Sequence, residues 1–181
     1  RDGLAAAEGG TLLLEREQNY RQMFANLQLA VDLDPTYVAA RIKLGQTLYR
    51  AQQYERAMEQ AKAVLEREPD NPDALTLFGS ILYRQGDNDG AVEAANRALV
   101  AKPGHVGATS IVTEVYKQSD PQRALAVIGD GIERQSRDAT LKLMEISVYE
   151  AQGDDEAVIG AYQSLMQQYP ENLFYHYQLV K

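Results

Sequence analysis

The chain has 181 residues, of which 45% are hydrophobic, so it is apolar enough to form a substantial core. Its formal net charge of -8 disfavours a general nucleic-acid-binding role, because that role requires a basic surface. It contains no cysteine, which excludes disulfides, thiolate nucleophiles and cysteine-ligated metal centres.

An internal repeat of about 34 residues runs along the chain. Small or apolar residues recur near this spacing at Met23, Ala57, Ala91, Ala124 and Ala157. Prolines recur every 34 residues at Pro35, Pro69 and Pro103. Self-similarity of this kind is typical of repeat architectures. We therefore interpret residues 1–181 as a single array with five units, at about 4–37, 38–71, 72–105, 106–137 and 138–171, and the start of a further or capping helix at 172–181.

Each unit is predicted to contain two helices. In the second unit, apolar residues spaced by three and four run from Val38 to Tyr49 and again from Tyr54 to Leu65, on either side of a polar break. Asn71-Pro72 predicts the next helix start, since asparagine caps helices and proline fits their first turn. Turns within later pairs are predicted at Gly86-Asp87, Ser119-Asp120-Pro121 and Gly153-Asp154. Because one pair cannot bury its own apolar face, successive pairs are expected to stack.

The repeated positions resemble the tetratricopeptide repeat motif. One unit carries its pattern at Leu44-Gly45, Leu48, Ala57, Ala61 and Pro69, and the next at Phe78-Gly79, Leu82, Ala91, Ala95, Ala98 and Pro103. The resemblance implies an all-α fold, an α-solenoid of stacked antiparallel helix pairs, here as a segment of a longer array. Gly45 and Gly79 are expected where the helices of a pair approach closely, opposite the small side chains of Ala57 and Ala91.

Sequence signatures of catalysis are missing. No HExxH, phosphate-binding loop, GxGxxG or GxSxG pattern occurs. His105 and His176 are far apart in sequence, and we expect both to be structural or solvated. The acidic runs at 87–89 and 153–156 precede second helices, where they fit helix capping better than metal binding. The chain is therefore expected to be non-enzymatic, without a cofactor or metal.

The resemblance also implies a concave surface, lined by the first helix of each pair, that takes an extended peptide or a partner helix. The positions carried over are Ala39, Ile42, Gln46, Tyr49 and Arg50, then Asp73, Thr76, Ser80, Tyr83 and Arg84, then Gly107, Ser110, Glu114, Lys117 and Gln118. The predicted partner-binding residues among them are Gln46, Tyr49, Arg50, Ser80, Tyr83, Arg84 and Lys117. Tyrosine offers broad contact and arginine forks onto carboxylates, which favours an acidic or C-terminal peptide. The alternative is that the tyrosines pack between helices and the arginines are solvated.

One binding mode of the resembled family is disfavoured. Its chaperone adaptors clamp a terminal carboxylate with lysine and asparagine, whereas this chain has Ile42 and Gln46, then Ser110 and Glu114, at those positions. We therefore predict a non-catalytic scaffold or adaptor for another protein or peptide, similar to bacterial members in envelope assembly and in polysaccharide or pilus export. The alternatives are self-assembly through open repeat ends and a substrate-docking arm of a larger enzyme.

The expected location is the bacterial periplasm or cell envelope, with the cytoplasm as the alternative. The longest strongly apolar stretch, residues 11–14, is too short to cross a bilayer, so direct membrane insertion is not expected.

Overall fold

The computed structural model describes residues 2–135 and 138–178, with side chains from residue 18 onward. The described residues form helices joined by short turns and contain no strand. In chain order the helices are α1 Asp2–Leu33, α2 Val38–Arg50, α3 Tyr54–Leu65, α4 Pro72–Arg84, α5 Asn88–Ala101, α6 Val106–Tyr116, α7 Pro121–Arg134, α8 Ala139–Gln152, α9 Asp155–Gln168 and α10 Leu173–Gln178. They fall into two compact units, Arg1–Arg67 and Glu68–Lys181, which are described separately below.

In the first unit, α2 packs against both α1 and α3. The sequence predicts two helices within residues 4–37, and this is wrong, because α1 continues unbroken to Leu33. Its glycines each cost about 1 kcal/mol relative to alanine in a helix interior, yet no proline interrupts the segment and good helix formers surround them. Glycine alone therefore does not divide this helix.

In the second unit, each helix from α4 to α10 packs against the next one along the chain. The first helices of successive pairs also touch directly, α4 with α6 and α6 with α8. This is the nearest-neighbour arrangement of a helical repeat protein. The predicted all-α fold of stacked helix pairs is confirmed.

Most helix starts follow from local sequence. The side chains that accept a hydrogen bond from a first-turn amide belong to Asn71, Asp87, His105, Asp120, Asp138, Asp154 and Asn172. Pro72 and Pro121 occupy the first turns of α4 and α7, where a missing N–H is harmless. Gly86 and Gly153 take φ of +86° and +69° in the predicted turns, a conformation that glycine adopts without strain.

The close approach predicted between α4 and α5 is present. A Cβ on Gly79 would lie 3.1 Å from the Ala91 carbonyl oxygen and 3.2 Å from Ile111 Cδ1. Ala91 is fully buried. Because a side chain at residue 79 would push against backbone, glycine here sets how near the two helices of the pair come.

One buried polar group in the second unit lacks a partner. Thr109 on α6 is fully buried, and its Oγ1 has no hydrogen-bond partner among the described residues. The repeat places Leu75 at the equivalent position of α4, where it is also buried. An unmet buried hydroxyl costs about 1–3 kcal/mol, so this site lowers the stability of the stack.

We expect Thr109→Val to raise the free energy of unfolding by about 1–3 kcal/mol, because valine has nearly the same shape and no polar atom to leave unsatisfied. Urea denaturation followed by circular dichroism measures the change. Thr113→Val is the matched control, since the buried Thr113 hydroxyl already donates to the Thr109 carbonyl at 2.9 Å. An equal gain in both variants, or no gain in the first, would contradict the assignment.

Candidate partner-binding surface

In the first unit, the predicted binding residues lie on the C-terminal half of α2. Gln46 and Tyr49 are half-buried, and Arg50 is exposed at the last position of the helix. The Tyr49 ring lies 5.6 Å from the ring of Tyr54 on α3, in a tilted arrangement. Tyr49 therefore joins the two helices of its pair, as the packing interpretation expects, and keeps part of its side chain accessible.

In the second unit, Ser80, Tyr83 and Arg84 lie on α4, and Lys117 directly follows α6. Arg84 is exposed and the other three are half-buried. The Ser80 hydroxyl donates to the Thr76 carbonyl at 2.8 Å, within its own helix. Since α4 and α6 pack side by side, the structure brings these four positions onto neighbouring first helices. We call this side of α4, α6 and α8 the first-helix surface.

The lysine that follows α6 and the lysine of α8 are each paired with a carboxylate. Lys117 Nζ lies 2.8 Å from Glu114 Oε2 on the preceding turn. On α8, Lys142 Nζ lies 2.8 Å from Glu145 Oε2, with the two side chains only 25% and 18% exposed. Because Glu114 neutralises part of the charge of Lys117, the surface around Lys117 is less basic than the sequence analysis predicts.

Aromatic rings accompany the charged pairs. The Arg123 guanidinium of α7 lies 4.3 Å from the centre of the Tyr116 ring at the end of α6.

Burial raises the pKa of the Tyr149 phenol on α8, the Glu145 carboxylate raises it further, and Lys142 opposes the rise. Burial also raises the pKa of Tyr162 on α9, with a further contribution from Glu150. The surroundings of both phenols therefore disfavour the ionised phenolate.

Sequence reasoning did not place His105 on this surface. The residue caps α6 by accepting a hydrogen bond at Nδ1 from the Ala108 amide, at 3.3 Å. Its Nε2 lies 3.1 Å from Asp73 Oδ1, and Thr76 Oγ1 lies 3.4 Å from Nδ1. A signal was present in the repeat, because His105 stands 34 residues after the capping Asn71. The bond to Asp73 could not be predicted, since it depends on how closely α4 and α6 pack.

No metal centre is found in the part of the chain that the structure describes, where no group of three or more His, Asp or Glu side chains is placed to hold an ion. His176, the other histidine, lies with Nε2 3.1 Å from the Pro170 carbonyl oxygen. Among the described residues, no helix combines the length and apolar character needed to cross a membrane.

The chain is similar in sequence to one protein family. Residues 42–106 match the family model described as tetratricopeptide repeat. A search of curated protein sequences gave no match. The matched range covers most of the α2–α3 pair and the whole of the α4–α5 pair, in which the motif is most complete.

Solved structures share the fold over most of the chain. A thermophilic TPR protein of Thermus thermophilus superposes with a TM-score of 0.76 at 16% identity, covering 93% of each chain. YrrB, a TPR protein with an unusual peptide-binding site, has a TM-score of 0.60 at 16% identity and covers 92% of this chain and 86% of its own. MamA from Desulfovibrio magneticus RS-1, residues 41 to the end, has a TM-score of 0.58 at 24% identity and covers 78% and 81%. At these identities the likeness establishes the fold alone.

We expect alkaline pH to destabilise the fold through Tyr149 and Tyr162. The pKa of each phenol is raised in the folded state. Their contribution to the free energy of unfolding is therefore complete below pH 10, the ordinary tyrosine value. It is lost as the pH rises through the folded pKa. Urea denaturation between pH 8 and 11 should show a shallower decline in the Tyr149→Phe, Tyr162→Phe double variant. Tyr37→Phe, at an exposed ring, is the control. An unchanged decline in the double variant would refute the assignment.

Proposed function

From the match of residues 42–106 to the tetratricopeptide repeat family, we propose that the chain is a non-catalytic scaffold. It binds a peptide or protein segment on its first-helix surface. Members of this family are protein-interaction scaffolds. The observation that carries the proposal is the packing of α4, α6 and α8 side by side. These helices leave Ser80, Tyr83, Lys117 and Tyr149 partly accessible on one unit of the chain. YrrB supports a peptide as the class of ligand, because it shares the fold and has a peptide-binding site.

The side chains of the surface suit a segment of mixed character. Tyr83 and Tyr149 offer broad apolar contact with little loss of conformational entropy. Lys117 is matched by the Glu114 carboxylate, so a highly acidic partner would meet Glu114 as well as the lysine. Arg84, exposed at the end of α4, is the residue that we assign to a carboxylate of the partner. The proposed ligand is therefore an extended segment with aromatic or aliphatic residues and one acidic group near Arg84.

Gln46, Tyr49 and Arg50 give the first unit a comparable set of side chains, which we propose as a second contact for the same class of partner. We place the scaffold in bacterial envelope assembly or export, in the periplasm. That finer assignment rests on the resemblance in composition to bacterial members of the family.

Peptide selection tests the surface directly. Peptides chosen from a random phage-displayed library on the immobilised wild-type chain should lose roughly tenfold or more in affinity for the Arg84→Ala, Lys117→Ala double variant, because removing interface anchors costs about 1.4 kcal/mol or more. Fluorescence anisotropy with the labelled peptides measures the change. Circular dichroism should show the same helix content in both proteins.

The matched control is Lys102→Ala with Arg134→Ala, which removes the same charge from exposed positions outside the first helices. It should keep wild-type affinity. Equal loss in the control would mean that net charge and not the surface governs binding. Full affinity in the Arg84 and Lys117 variant would reject the proposed surface.

Self-assembly is a second candidate, favoured by exposed apolar side chains on α10. Leu173, Phe174 and Tyr177 are 78%, 51% and 62% exposed, and exposed apolar side chains that lie together often mark an interaction site. If these side chains join copies of the chain, the mass measured by light scattering should fall on dilution. Leu173→Ser with Phe174→Ser should then be monomeric throughout the series. A mass independent of concentration would exclude this function.

A further inference from the structure

We propose that His105 is a pH-sensitive cap, which holds the start of α6 against α4 when neutral and releases the first-turn amide of α6 when protonated. The other side chains that cap helices in the described residues belong to asparagine or aspartate. Those side chains keep their acceptor oxygens throughout the physiological pH range, whereas imidazole takes up a proton between about pH 5 and 8. His105 is therefore the cap whose chemistry changes with pH.

The contacts define which tautomer is present in the capping state. The Ala108 amide donates to Nδ1 at 3.3 Å, so Nδ1 must carry a lone pair. The proton of neutral imidazole is then on Nε2, which lies 3.1 Å from Asp73 Oδ1 and donates to it. One ring thus joins the first turn of α6 to the first turn of α4. The side chain is only 11% exposed, which holds the ring in this position.

Protonation removes the cap whichever way the ring is turned. Both nitrogens of imidazolium are donors, so a ring flip cannot restore an acceptor for the Ala108 amide. The backbone bond from the Thr109 amide to the His105 carbonyl, at 3.0 Å, does not involve the ring and is retained. The change is therefore local, and it falls on the first turn of α6.

Several charged groups lie around the ring. Asp73 on α4 faces Nε2, with its side chain 50% exposed, and the N-terminal end of the α6 dipole lies beside the ring. The α6 first turn contains no acidic residue. Arg134 of α7 lies beside Gly104, and its Nε is engaged by Asp130 Oδ2 at 2.9 Å, while Lys102 at the end of α5 is exposed. None of these groups supplies a new acceptor to the Ala108 amide when the ring is protonated.

The affected turn lies at one end of the first-helix surface. A Cβ on Gly107 would lie 2.8 Å from Thr76 Cγ2 and 3.3 Å from His105 Cε1, so the two helix starts and the ring are tightly packed. Loosening this turn alters the surface at Asp73, Thr76 and Gly107, which are positions predicted to face a partner. The cap itself belongs to the free chain, so the test below does not depend on the proposed function.

The experiment is amide hydrogen exchange by NMR on the whole chain without a partner, at pH 5 and at pH 8, with each rate divided by the intrinsic rate at that pH. Protection of the Ala108 amide should fall by about 2- to 30-fold at pH 5, which is the range expected for losing one cap. Ala74, Gly90 and Ala157 are internal controls, because Asn71, Asp87 and Asp154 cap the same position of their helices. Their protection should be independent of pH.

The variant His105→Asn shows whether protonation of residue 105 causes the loss of protection. Asparagine caps a helix but does not take up a proton between pH 5 and pH 8. It should keep Ala108 protected at both pH values. Asp73→Asn removes the charged partner of Nε2 and should leave the loss at pH 5 in place. A pH-dependent loss that persists in His105→Asn, or wild-type protection equal at both pH values, would overturn the proposal.

Discussion

The close approach of α4 and α5, the two helices of one pair, is the constraint on which the packing around them depends. In the second unit it is set at Gly79, where an added Cβ would press on the backbone of α5. Small residues at such positions let the pair bury larger side chains, including Leu75 and Ile81, which are almost entirely removed from water. The same spacing brings successive first helices into contact, and only then do polar residues from different repeats share one surface.

The sequence predicts the helix pairs from residue 38 onward because their signals are local. Asn71-Pro72 marks a helix start and Gly153-Asp154 marks a turn followed by a helix start. Both can be predicted without reference to residues that are distant in sequence. The first helix is different, because α1 continues without a break through a segment in which the sequence predicts two helices. The tertiary bond between His105 and Asp73 lies beyond any local signal, since it joins residues 32 positions apart.

The pairing of charges on the candidate surface could have been predicted only in part. Glu114 and Lys117 are three residues apart on one helix face, a spacing that favours an ion pair. The burial of Lys142 and Glu145 could not be predicted, because the repeat places Leu75 and Phe78 at the equivalent positions of α4. Along the stack, positions that are apolar in one repeat become polar in a later one. The apolar core is therefore smaller around α8, where charged residues replace the apolar residues of α4.

The nearest-neighbour packing of the second unit also has a mechanical consequence. Each helix from α4 to α10 contacts only the next helix, apart from the direct contacts between successive first helices. Among the described residues, no strand and no helix–helix contact connects one end of this unit to the other. Under a stretching force the load passes from pair to pair, so the unit extends stepwise at its weakest interface and can recoil without complete unfolding. We therefore expect the second unit to behave as a compliant segment under load.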